Sequence, residues 1–263
     1  MIDFHAHIFP DKIASKTVQH LEKICGTPSF LDGTKDMLLA SMDKAGIEKS
    51  ILLPVLTSPS QFDSVYRFIS QYIEGRLVSF GGIHPDDEDY KEKLRMLKNQ
   101  GHKGIKLHPD YQHTYFSDIK FKRIISYATE LDMVCGIHAG RDPYSPTDVH
   151  CTPKMISDFV DEVQPTKLVL AHMGGNLMEE DVENYLFGKN VYFDTSYVLD
   201  KLPTYKVVRM IRQHGADKIL FGTDTPWCGQ KEFVDCFKAL PLTEWEQKLI
   251  LKENANKLLK DCM

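Results

Sequence analysis

The chain has no Cys-x-x-Cys pair. Its six cysteines, at 25, 135, 151, 228, 236 and 262, therefore carry no zinc-finger or dithiol signature. Nor are they spaced as a disulfide framework, so reduced thiols in a cytoplasmic protein are expected. Positive charge is also short: 32 Lys and Arg face 37 Asp and Glu, a net −5. That balance argues against a protein that lives on nucleic acid or on an anionic membrane. No basic segment followed by an apolar stretch opens the chain, which begins MIDFHAHIFP, so no secretory leader is expected. The longest apolar runs, such as 51–56, fall far short of the roughly 20 residues that a membrane span needs. Low-complexity tracts, linkers and short repeats are missing as well. What is present is ordinary for a globular chain: 263 residues, 42% apolar and 26% charged, enough to bury a large core without staples.

Short apolar runs recur with helical segments between them. Eight strands are expected, at 1–7, 49–55, 76–83, 102–108, 132–138, 166–172, 190–196 and 217–224. They are aliphatic and nearly continuous, as buried parallel strands are. The gaps show the helical period. Phe121, Ile124, Ile125, Ala128 and Leu131 share a face of a helix at 117–131, and Tyr205, Val208 and Ile211 do so after the seventh strand. The first gap has room for two helices, at 11–25 and 34–45, and another is expected at 230–238. The last helix starts with a capping box, Thr243-x-x-Glu246. Eight βα units in series predict a single-domain α/β fold over 1–263, a closed (β/α)₈ TIM barrel. The alternative, an open doubly wound sheet, would bring a glycine-rich turn after its first strand; here that turn reads His-Ala-His-Ile-Phe-Pro.

In a barrel the chemistry sits at the C-terminal ends of the strands. His5 and His7 close the first strand. Alternation puts both imidazoles on one face with Asp3, and Ile2, Phe4 and Ala6 on the other. Two histidines so placed can grip one metal ion. His108, His138, His172 and Asp224 close strands four, five, six and eight. Neutral imidazoles with a carboxylate suit Zn²⁺, Fe²⁺ or Mn²⁺. Asp3 and Asp194 are expected to be core polar groups or to orient a ligand imidazole, and Cys135 to be a small core residue. His84 is expected to be structural or to line the pocket, and His20, His102, His113, His150 and His214 to be solvated.

DFHAH on strand one, the histidines ending strands five and six, LAHMGG and FGTDTPW resemble the amidohydrolase superfamily over nearly the whole chain. The resemblance is to the branch that includes aminocarboxymuconate-semialdehyde decarboxylase and γ-resorcylate decarboxylase. It implies a metal held by His5, His7, His138 and Asp224, with His172 acting beside it on substrate or water. Zn²⁺ is the expected cofactor, as one ion. Strand four reads Gly104-Ile105-Lys106-Leu107-His108, without the Glu of the TatD nucleases. Lys106 shares a face with His108. Carboxylated, it would allow a second metal with His138 and His172; otherwise it pairs with a substrate carboxylate or with Asp224.

In a hydrolase Asp224 would take a proton from metal-activated water and return it to the leaving group, with His172 assisting. In a decarboxylase Asp224 or His172 would deliver a proton to carbon. Hydrolysis of a small amide, ester or lactone is the first reading. Non-oxidative decarboxylation of an aromatic or unsaturated acid is the alternative, and a barrel that binds without turnover is the third. Loop residues expected to choose the substrate are Phe9, Tyr111, Arg141, Tyr144, Asn176, Tyr197 and Trp227, with Lys106 and His108 below them. Arg141 could fork onto a substrate carboxylate. A small molecule is the expected partner, and a homodimer is plausible by family analogy alone.

Overall fold

The computed structural model describes residues 1–260; Cys262 lies outside them. Eight barrel strands follow in order: β1 (Ile2–Ala6), β2 (Lys49–Leu52), β3 (Leu77–Ser79, resuming after Phe80 as Gly81–Gly82), β4 (Gly104–Leu107), β5 (Val134–Ile137), β6 (Leu168–Leu170), β7 (Tyr192–Asp194) and β8 (Ile219–Leu220). Each pairs in parallel with its sequence neighbour. The ring closes between the last strand and the first: Phe4 N donates to Phe221 O at 2.8 Å, Asp224 N to His5 O at 2.9 Å, and His7 N to Thr225 O at 2.7 Å. This is a TIM barrel, not an open sheet.

The first gap holds α1 (Asp11–Cys25) and α2 (Lys35–Ala45), as its length predicts. Gly26, at φ 63°, ends α1 in the left-handed conformation that glycine adopts without strain. Outside the later strands lie α3 (Phe62–Ile69), α4 (Tyr90–Gln100), α5 (Ile119–Glu130), α6 (Pro153–Val163), α7 (Glu179–Tyr185) and α8 (Thr204–His214). After β8 come α9 (Gln230–Lys238), α10 (Glu244–Lys248) and α11 (Asn254–Lys260), the last two joined by a π-helical turn, Leu249–Glu253. No helix among the described residues is long and apolar enough to cross a membrane. The expected face of α5 is the buried one. The expected face of α8 needs correction. Tyr205 is 71% exposed, and Val207, Val208, Met210 and Ile211 form the buried stripe.

Two apolar clusters divide along the sheet. The inner one takes Ile2, Phe4, Ile51, Leu53, Val78, Phe80, Val134, Val169, Tyr192 and Leu220 from the strands, plus Ala255 and Leu258 from α11. The outer one joins the opposite strand faces to the helices. Strict alternation fails on β1, where the register slips between Asp3 and Ala6. Phe4 therefore packs in the inner cluster, 5.8 Å from the Phe80 ring, although His5 and His7 also turn toward the barrel interior. Asp3 instead binds Thr223 and Gln230. The slip adds a residue without changing faces, as a bulge does.

Three histidines expected in solvent are buried. His102 lies 2.8 Å from Ser79 O and His214 2.9 Å from Val191 O, while His150 Nδ1 lies 3.0 Å from Asp110 Oδ1. Burial is tolerable because each imidazole finds an acceptor. His20 and His113 are exposed. His84 is buried and accepts from Asp86 N.

Candidate metal centre and active site

His5 from β1, His7 just beyond it and Asp224 beyond β8 meet at the mouth of the barrel, with three ligand atoms all within 4.8 Å of one another. The bonds on the far side of each ring settle its proton. His7 Nδ1 faces Leu53 O at 2.9 Å, and a carbonyl only accepts. His5 Nδ1 faces Asp194 Oδ2 at 2.8 Å. In the neutral rings both protons sit on Nδ1, so each Nε2 offers a lone pair. These lone pairs approach Asp224 Oδ1, another acceptor, at 3.3 Å from His5 and 3.2 Å from His7. Three acceptors converging in a nearly dry place call for a cation. The spacing fits one: ligands about 2.1 Å from a tetrahedral Zn²⁺ lie about 3.4 Å from each other.

Electrostatics agree. Burial, and next the charge of Lys106, lower His5 to about 4, so it is neutral at pH 7. Burial alone would raise Asp224 and Asp194. Asp224 falls well below the carboxylate range only when the imidazoles of His5 and His7 beside it carry a proton on Nε2, the positive charge that a cation would otherwise supply, while His5, which donates to it, holds Asp194 at about 2. Asp194 also accepts from the backbone N–H groups of His172 and Ser196 at 3.1 and 3.0 Å, and from Ser196 Oγ. One carboxylate thus positions His5 and the turn bearing His172. Asp224 and His172 both sit in left-handed backbone, at φ 70° and 58°, an uncommon conformation for residues other than glycine.

His138 does not join that group. His172 stacks on His5 with ring centres 5.5 Å apart, and His138 lies beyond it, His172 Nε2 to His138 Nδ1 being 3.1 Å. The other edge of His138 faces Asp142, and the ring of His108 stacks on its face with centres 4.1 Å apart. The expected four-donor set is therefore split: three donors stand together and the fourth is one imidazole away.

Above the centre opens a cavity of about 790 Å³. Lys106, 1% exposed, lines it, and its ammonium makes no hydrogen bond or ion pair to any other described residue. Burial lowers its ammonium to about 8, and Asp194 and Asp224 oppose that shift. His108, Tyr111, Trp227, Phe9, Tyr144, Asn176 and Tyr197, all expected near substrate, line the cavity. Arg141 does not. Its side chain is exposed, and its backbone carries the contact, exchanging hydrogen bonds with Asn176. Sequence reasoning missed Asp142 and Asp110, both buried. The available signal was a carboxylate two or four residues past a strand-end histidine.

The sequence profile of the amidohydrolase family matches residues 2–260. No curated protein matches. Among solved structures, an uncharacterised TIM-barrel protein from Bordetella bronchiseptica is 18% identical, with TM-score 0.78 over 100% of this chain and 99% of its own. A dihydroxybenzoic acid decarboxylase from Polaromonas sp. JS666, solved with manganese and the inhibitor 2-nitroresorcinol, is 18% identical, with TM-score 0.70 over 98% and 96%. A candidate 2-pyrone-4,6-dicarboxylic acid hydrolase from Pseudomonas putida is 17% identical, with TM-score 0.67 over 99% and 97%. At such identities the likeness shows the shared fold.

Proposed function

The chain belongs to the amidohydrolase family, and from that premise we propose that it is a metal-dependent hydrolase of a small amide, ester or lactone. His5, His7 and Asp224 would hold the divalent ion, Zn²⁺ by donor chemistry. Such an ion, when bound, polarises a carbonyl and acidifies water. The observation that carries the reading is Asp224 Oδ2. It belongs to a carboxylate on the cavity wall and accepts no hydrogen bond from any described residue. It is a free proton acceptor at the site of water attack and returns that proton to the leaving group. His172 Nε2, an acceptor in the resting pair with His138, is the second proton carrier. Lys106 receives a substrate carboxylate, and His108, Tyr111 and Trp227 hold the flat part of the molecule.

A second reading, decarboxylation of an aromatic acid, is favoured by the same unpartnered Lys106 and by the named activity of the Polaromonas relative. Incubation of the metal-loaded chain in H₂¹⁸O with aryl lactones, esters, amides and dihydroxybenzoates separates them. Heavy oxygen in the product is expected. Release of CO₂ with no heavy oxygen would replace the first reading by the second, and no product from any of the panel would sink both.

A further inference from the structure

The cavity has two unlike halves. Its floor holds the His5–His7–Asp224 group and Lys106. Its outer wall comes from α1 and α3, which follow the first and second strands. Ile13, Leu21 and Ile24 of α1, with Val65 and Phe68 of α3, line it. The spacings are helical: 13, 21 and 24 share one face of α1, and 65 and 68 one face of α3. The core takes only Ala14 and Val18 of α1, while Ile13 stays 50% and Ile24 39% exposed. Charge is sorted as well. None of Asp11, Lys12, Lys16, Glu22 and Lys23 of α1, nor Asp63 and Arg67 of α3, lines the cavity. The wall is also held in place. Phe9 N donates to Gly33 O at 2.9 Å and Phe30 N to Pro226 O at 2.7 Å. At the end of α1, Cys25 Sγ lies 3.5 Å from Tyr111 OH, and beyond it Thr27 Oγ1 lies 3.4 Å from Tyr197 OH. The helix thus reaches over the mouth to the loops after β4 and β7.

A single exposed isoleucine is ordinary on a protein surface. Two helices that turn apolar side chains, and no Asp, Glu, Lys or Arg, into a cavity above a polar floor make a wall for an apolar group. We propose that the substrate of this chain carries a medium-length acyl chain, which lies between α1 and α3 while its carbonyl meets the floor. The tail contact needs the wall alone; the reaction at the carbonyl rests on the proposed hydrolase. In that reaction the oxygen of water joins the acyl carbon, the bond from that carbon to the leaving oxygen or nitrogen breaks, and the leaving group takes a proton. A fully buried methylene is worth about fourfold in binding. Side chains that are themselves half exposed bury a chain by about half, which leaves about twofold per methylene.

Two series on the full zinc-loaded chain test it. In the first, isothermal titration calorimetry compares 4-octyloxybenzoate with 4-methoxybenzoate, ethers that a hydrolase leaves intact. Their carboxylate suits Lys106 and their ring suits Tyr111 and Trp227. The longer ether should bind about 100-fold tighter, its seven extra methylenes counting about twofold each. Leu21→Ser plus Phe68→Ser should cut that ratio about tenfold. Ile119→Ser, on α5 and outside the cavity, should keep it. In the second, kcat/KM for 4-octanoyloxybenzoate should exceed that for 4-acetoxybenzoate by about 60-fold. Equal binding of the two ethers, no binding of either, equal kcat/KM for the two esters, or a binding ratio that the double variant keeps each overturns the acyl wall. Tighter binding of the longer ether with no turnover of either ester leaves the wall standing and removes the hydrolase. Turnover of both esters at one rate, with equal ether binding, does the reverse. A wild type that light scattering shows as a dimer, and a double variant that it shows as a monomer, would give this face to a second copy of the chain and also overturn the proposal. Circular dichroism is the folding control. If the double variant fails it, Ile13→Ser plus Ile24→Ser, at exposed positions, carries the same expectation.

Discussion

Asp194 spends both carboxylate oxygens on the parts of the centre: one fixes His5 through Nδ1, the other gathers the amides under His172. Asp194→Asn offers a hydrogen-bond donor where His5 also donates. The His5 ring then loses its set tautomer, and zinc affinity should fall about 10–100-fold. Competition against a chromophoric chelator reads this directly, and a change below about twofold would remove Asp194 from the centre. Lys106 makes the opposite kind of prediction. An ammonium buried without a direct partner is kept against stability, so Lys106→Met should raise unfolding free energy by roughly 0.5–2 kcal/mol while turnover falls. Urea denaturation beside activity checks both signs, and a less stable variant would mean that Lys106 is a structural residue. His5, His7 and Asp224 were legible as single letters because strand ends are where a barrel gathers function. The proton pattern was not, because it depends on Leu53 O and Ser196 O, backbone atoms that any residue would supply.

The elements follow the sequence where local signals repeat and depart from it where one residue changes the phase. Helices α1 and α9 begin and end at 11–25 and 230–238, since proline and glycine bound them. Tyr205 lies on the outer face of α8, since its hydroxyl can meet water where the aliphatic Val207, Val208, Met210 and Ile211 cannot. The slip on β1 has no signature in Asp3-Phe4-His5, as it is set by pairing with β2 and with the segment after β8. The capping box is a feature read correctly at both levels. Thr243 Oγ1 accepts from Glu246 N at 3.2 Å, and Glu246 returns the bond to Thr243 N at 2.7 Å. Arg212 and that amide hold the Glu246 carboxyl down from 4.5 to about 2. A carboxyl lowered by folding adds stability that is complete above its unfolded value and is lost as pH falls through the folded one. Glu246→Gln should therefore cost about 1 kcal/mol at pH 7, with the difference from wild type closing between pH 4.5 and 2. Denaturation midpoints measured across that range check it; a difference that persists at pH 2 would assign the loss to packing.

For the whole molecule, the proposed ion joins the two ends of the ring. His5 stands on the first strand, His7 just beyond it, and Asp224 follows the last, so the ion would span the seam where the cylinder closes, a seam also held by backbone bonds such as Asp224 N to His5 O and by the bonds from Thr223 and Gln230 to Asp3. Eight serial βα units announced the cylinder, but nothing in them says how firmly its ends are joined. Binding to the folded state alone stabilises by about 2.7 kcal/mol when free ligand is about 100 times its dissociation constant. For a chain of this size each kcal/mol shifts the melting temperature by about 2–4 °C, so Zn²⁺ at that excess should raise the melting temperature of the chelator-stripped chain by roughly 5–11 °C. His5→Ala plus His7→Ala should lose most of that rise, because the clasp needs both rings. Calorimetry with and without zinc gives the answer. A rise of similar size in the double variant would place the stabilising ion away from the seam, and no rise in the wild type would mean that the barrel closes without help from an ion.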